Sequence, residues 1–246
     1  MNRLGRAAVM VALGIVTSRL LWSGSFGWFV QQRMRWPLIG AAIVLIVFGV
    51  YEGIQGAREE TRDPSSVNRS AGPGVGWLML LPLVVLISVA PTGLGAAAVE
   101  RVDTFTPVEV TDRFLPIEES NGPVEMRVFD FLERATWDES RSLEGRTIRL
   151  EGLVINDESV PDGFKLTRFL VSCCAADGVP VQVDIRNVDV PLADEDWVIV
   201  DVEWIPSETS FEETEGEWVV EANALDIAVV PVAPTDQYES PYSGAG

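Results

Sequence analysis

TIRLEGLVINDESVPDGFKLTRFLVSCCAADGVPVQVDIR, residues 147–186, decides the fold. Ile148, Leu150, Gly152 and Val154 alternate with Arg149, Glu151 and Leu153, the period of two that marks a strand with one face inward. Asp157–Gly163 reads as a turn, Phe164–Cys174 as the next strand, and Val179–Arg186 alternates again. Further on, Trp197–Ile205 and Glu217–Val230 continue the pattern, the last run long enough to bend around a small barrel. Five strands in about 85 residues, with turn signals between them, predict a small closed or nearly closed barrel. An OB-like barrel is the first expectation; a β-sandwich is the second, and five strands are few for one.

Ahead of the barrel, Met126, Phe129, Leu132 and Ala135 recur at helical spacing within Val124–Ser142, with Phe131 flanking that face. The pattern predicts an amphipathic helix, capped by Asn121 and carrying Glu125 in its first turn, where the helix dipole favours an anion. Residues 100–122, with Pro107 and Pro116, read as a connector, 123–232 as the OB-like domain, and 233–246 as a disordered tail.

The rest of the chain differs in kind. Residues 1–99 carry eight arginines against four acidic residues, whereas residues 100–246 carry ten basic and 33 acidic residues, a net charge of −23. Three apolar stretches in the first part, 7–30, 36–54 and 75–99, predict about three transmembrane helices. Trp36–Tyr51 and Val75–Val99 contain no charged residue at all. The expected fold class is therefore an α+β membrane protein, with N-terminal transmembrane helices followed by the helix and the small OB-like barrel. Arg3 and Arg6 before Ala7–Ser18 imitate a signal peptide, but Arg19-Leu20-Leu21-Trp22 replaces a cleavage site and the stretch reads as an uncleaved span. With three spans, Arg3, Arg6, Arg58, Arg62 and Arg69 share one side of the membrane and Arg33 and Arg35 the other. This bias predicts an extracytoplasmic acidic domain in a multi-pass protein of the cell membrane.

Arg19 has two readings. Placed centrally, it needs a partner from another chain and marks a partner interface. If the span is instead Leu4–Trp22, Arg19 lies near an interface and snorkels.

Cys173 and Cys174 are the only cysteines, and there is no histidine. Adjacent Cα atoms lie about 3.8 Å apart, below the roughly 4.4–6.8 Å usual for a disulfide, so a bridge between them is not expected. In a strand the two side chains point to opposite faces, and a shared metal needs a bulge, for which Ala175–Gly178 provides the residues. One cysteine as core filler and the other as a tolerated small residue is the plain alternative. Asp177 is the only acid on the same loop, so the candidate metal ligands are Cys173, Cys174 and Asp177, an open site suited to a thiophilic ion such as zinc or copper(I). Arg168 offers another use of the pair, by depressing a thiol pKa.

The order of apolar stretches and soluble domain, Leu81-Pro82 and Ala90-Pro91 in the third stretch, and Gly145-Arg146-x-x-Arg149-x-x-Gly152-Leu153-Val154 resemble one known family. Most specific is Arg168-Phe169-x-x-Ser172-Cys173-Cys174-Ala175-Ala176-Asp177. These residues are similar to the YcgQ-type membrane proteins, with Gly178 where alanine is common. The likeness implies a multi-pass subunit of a two-component permease, with a partner permease membrane subunit. The family's histidine-proline after the first span is missing from Phe29–Met34, so no role of that histidine carries over.

Enzyme signatures are absent: no histidine base, no G-x-S-x-G and no phosphate loop, and no pair stands out among 33 acids. A domain of net charge −23 repels phosphates, which argues against nucleic acid despite the OB-like pattern. The expected function is a non-catalytic accessory subunit of a permease; the alternative is a free-standing membrane-anchored thiol or metal sensor.

Overall fold

The computed structural model describes residues 3–62, 94–99, 101, 114–117, 122–206, 219–231 and 237–241. Two compact units divide the chain, Met1–Gly93 and Leu94–Gly246.

In the first unit, helices α1 (Arg3–Ser23) and α2 (Arg35–Arg62) form an antiparallel pair. Within them, Gly5–Ser23 and, with the preceding turn, Gln32–Arg58 are long and apolar enough to cross a membrane. Small residues set their approach. A Cβ on Gly14 would stand 2.5 Å from Ile46 Cγ1, and one on Gly49 would stand 2.7 Å from Val11 Cγ2. Ala7 and Ala42 are buried in the same seam. Near one end, Arg6 and Glu52 pair at 3.5 Å.

The first apolar stretch was expected to run over 7–30, but α1 stops at Ser23. Gly24 takes φ 75°, and a 3₁₀ turn, Ser25–Trp28, follows. Arg19 is therefore four residues from the helix end and exposed. The third stretch lies outside the described residues except for Leu94–Val99. Those six residues belong to the second unit.

The second unit is a closed five-stranded barrel. Its strands are β2 (Thr147–Ile155), β3 (Phe164–Leu170), β4 (Val179–Arg186), β5 (Trp197–Ile205) and β6 (Glu221–Val230). They close in the order β2–β3–β4–β6–β5–β2, antiparallel throughout except for the parallel pairing of β4 with β6. β2 serves both partners. Thr147–Leu153 pairs with β5 and Leu153–Ile155 with β3, so the strand turns the corner at Gly152. There a Cβ would lie 3.0 Å from both Leu166 Cδ1 and the Thr167 carbonyl, and glycine lets the strands close.

Inward residues of every strand form the core, including Ile148, Leu150, Val154, Leu166, Val183 and Val200, all fully buried. Helix α4 (Val128–Trp137) lays Val128, Phe129, Phe131 and Leu132 onto this core. It is shorter than the expected Val124–Ser142, because strand β1 (Val124–Glu125) pairs in parallel with β2. Glu125 is thus in a strand, not in the helix's first turn. Asn121 lies outside the described residues.

Within residues 233–246, expected to be a disordered tail, Tyr238 and Glu239 join the sheet. Strand β7 (Tyr238–Glu239) pairs in parallel with β3, and both residues are buried. The Glu239 carboxylate accepts from the Val128 and Phe129 N–H groups at 3.0 and 2.9 Å, taking the place of a local cap on α4. Leu94–Val99, including the one-turn helix α3 (Ala96–Val99), packs on the outside of the barrel against Leu153, Trp197, Phe169 and Tyr238.

Candidate metal centre on the cysteine loop

Strand β3 ends at Leu170, before the cysteines. The expected strand through Cys174, with thiols on opposite faces, is not what the chain forms. Its next N–H, from Val171, bonds to the Glu239 carbonyl at 2.9 Å, so β7 takes over the ladder at that point. The chain then turns through Ser172 and Cys173 into a 3₁₀ turn, Ala175–Asp177, with Cys174 as its N-cap. Asp177 explains the turn. Its Oδ1 accepts from the Ser172 N–H and its Oδ2 from the Cys173 N–H, both at 2.9 Å, and its own N–H donates to the Cys174 carbonyl. A carboxylate that satisfies two backbone donors competes well with continuation of a strand.

The turn puts both cysteines and the aspartate on one side. One ligand atom from each of Cys173, Cys174 and Asp177 falls within 4.8 Å of the others, and both cysteines are free. Cys173 is exposed and Cys174 half-buried, so the cluster opens to solvent. Two sulfurs and a carboxylate oxygen at this separation have the composition and spacing to hold a thiophilic metal ion, with a coordination position left open.

The electrostatics fit a protonated resting site. The Cys173 thiol donates to Asp177, and with Cys174 beside it and some desolvation its pKa is pushed up to about 11. For Asp177, burial works against ionisation but is outweighed by the Cys173 thiol and the backbone N–H groups of Cys173, Ser172 and Cys174. Its carboxyl is held below the usual range.

The remaining motif residues serve the frame around the loop. Arg168 is engaged in the frame: its Nε lies 3.5 Å from Glu239 Oε1 in a buried pair, and its guanidinium sits 5.0 Å from the centroid of the Trp197 ring. Phe169 and Ala175 pack with Val171 and Tyr238, and Ala176 occupies the middle of the turn. Sequence reasoning missed Tyr238, Glu239 and Leu94. The only local signal was an aromatic and an acid in a polar, proline-containing tail, and an apolar run that continues past Gly93.

The fold and the site together define an OB-like barrel domain that carries a dithiol–carboxylate loop, following apolar helices suited to a membrane. Residues 130–228 match the family model described as the DUF1980 C-terminal domain, so such a domain is present in the chain. The matched region spans most of α4 and the barrel, with the cysteine loop inside it. None of the curated proteins and none of the solved structures compared with the chain matches it.

Proposed function

We propose that this protein is a non-catalytic accessory subunit of a two-component permease, whose OB-like domain binds a thiophilic metal ion through Cys173, Cys174 and Asp177. The observation that carries the ion reading is the convergence of the three ligand atoms within 4.8 Å on a turn that Asp177 already braces. Binding then needs little reorganisation beyond the loss of thiol protons. The two candidate spanning helices and the likeness of Arg168–Asp177 to the YcgQ-type proteins support the membrane and permease parts. The acidic charge speaks against a nucleic-acid partner.

The alternative is a free-standing membrane-anchored thiol or metal sensor, and its thiol form needs a reactive thiolate. A Cys173 thiol pushed up to about 11 is a poor nucleophile at neutral pH, and a metal ion that binds there must likewise displace its proton.

The reduced full-length protein in detergent should bind one Zn²⁺, read by competition with a chromophoric chelator. Asp177→Asn should weaken binding at least tenfold, and Cys173→Ser with Cys174→Ser should abolish it. Equal affinity of the wild type and the double variant would sink the ion reading. Co-purification of a permease-like membrane protein with the tagged full chain tests the partner separately.

A further inference from the structure

The loop is not only open at the front; it is backed by two pieces of chain that meet behind it. Leu94 leans on Gly178, where a Cβ would stand 2.4 Å from Leu94 Cδ1. The Leu94 N–H donates to the Tyr238 hydroxyl at 3.3 Å, and Tyr238 pairs with Phe169 in β3. Leu94, Ala98, Val99 and Ala175 all pack on the cluster of Phe169, Val171 and Tyr238. Val99 also reaches the second outer cluster around Trp197, and the Ala96 N–H donates to Glu195 Oε1 at 2.9 Å. The strap Leu94–Val99 is therefore held by side chains of the barrel, the cysteine turn and β7 together. It is the C-terminal end of the third apolar stretch of the sequence.

We infer that occupation of the cysteine loop by a thiophilic ion strengthens the docking of Leu94–Val99 on the barrel, so that the ion is registered in the last residues of the third apolar stretch. This rests on the ion-binding reading above. Drawing two sulfurs and the Asp177 oxygen onto one ion restricts the turn from Cys173 to Gly178. The other face of that turn, at Ala175 and Gly178, is the surface on which the strap sits. Ordering one face lowers the entropic cost of docking on the other, and by linkage a docked strap tightens ion binding by the same factor.

Two measurements on the full-length reduced protein in detergent test this, with Zn²⁺ as the probe. Hydrogen exchange over 94–99 should slow when Zn²⁺ is added, and should not change in the Cys173→Ser, Cys174→Ser double variant. Tyr238→Phe removes the hydroxyl that accepts from Leu94. It should weaken Zn²⁺ binding about fivefold, an ordinary strength of coupling between two sites, and speed exchange over 94–99. Unchanged exchange of β5 in that variant shows that the barrel is intact; if β5 is disturbed, the wild-type comparison with and without Zn²⁺ decides alone. Zn²⁺ that binds the wild type tightly but leaves exchange over 94–99 unchanged overturns the coupling and spares the ion site. Zn²⁺ that binds no better than to the double variant overturns both.

Discussion

Asp177 does the most at the residue scale, because one carboxylate shapes the turn, holds the Cys173 thiol and offers a ligand oxygen. Its protonation and that of Cys173 set opposite edges of a pH window. The Asp177 carboxyl is depressed in the folded chain, so its contribution is present above the unfolded value near about 4 and is lost as pH falls through the folded value. Cys173 is raised from 9.0 to about 11, so its contribution is complete below 9.0 and is lost as pH rises towards about 11. Metal-free protein should therefore protect the Ser172 and Cys173 amides from about pH 5 to 9, losing that protection on either side. Hydrogen exchange corrected for intrinsic rates reads this directly, and flat protection from pH 9 to 11 would remove the Cys173–Asp177 bond from the account. Over the same range below 9, Zn²⁺ affinity should rise at least about tenfold per pH unit, since Cys173 must release a proton to bind.

At the scale of elements, β7 joins parts of the chain that local pattern treats as independent. Glu239 accepts from the first turn of α4 and faces Arg168 of β3, while its carbonyl extends the ladder past Leu170. Both side chains of the pair are nearly buried, at 10% and 4% exposure, which decides that removing one is costly. Glu239→Ala should destabilise the barrel by about 3 kcal/mol, because the α4 N–H groups lose their acceptor and Arg168 loses the facing carboxylate. A fall in Tm of roughly 10 °C is expected for a domain of this size. Thermal unfolding of the full chain, followed by tryptophan fluorescence, checks it; a Tm within about 2 °C of wild type would mean that β7 is peripheral to stability.

For the whole molecule, the charge asymmetry sets two apolar helices, long enough to cross a membrane, apart from an acidic head. We propose that the head lies outside the cytoplasm, on the arginine bias across three expected spans. A reporter active only in the cytoplasm, fused after Gly246, should give no signal, and a strong signal would reverse the orientation. Arg19 stands four residues from the end of α1, a position open to snorkelling as well as to a partner from another chain. Arg19→Leu should weaken co-purification with a permease if Arg19 is a partner site, and unchanged co-purification would mean that it snorkels.

The barrel was legible because its strands alternate with a period of two and burial on one face enforces that period; β4 and β5 begin and end where the pattern places them. The apolar helices were legible for a similar reason, since hydropathy over about 20 residues needs no knowledge of neighbours. So were the chemical identities at the candidate site, as the only two cysteines stand four and three residues from an aspartate. What local pattern did not carry was every contact made at long range. Whether the cysteines continue β3 or leave it depends on a carboxylate folding back and on β7 arriving from nearly 70 residues downstream. Whether Arg168 serves the thiols or the frame depends on Glu239, and whether Leu94–Val99 continues an apolar span or straps the barrel depends on the outer clusters it finds there. Periodicity records which residues seek burial; only the closed barrel determines against what.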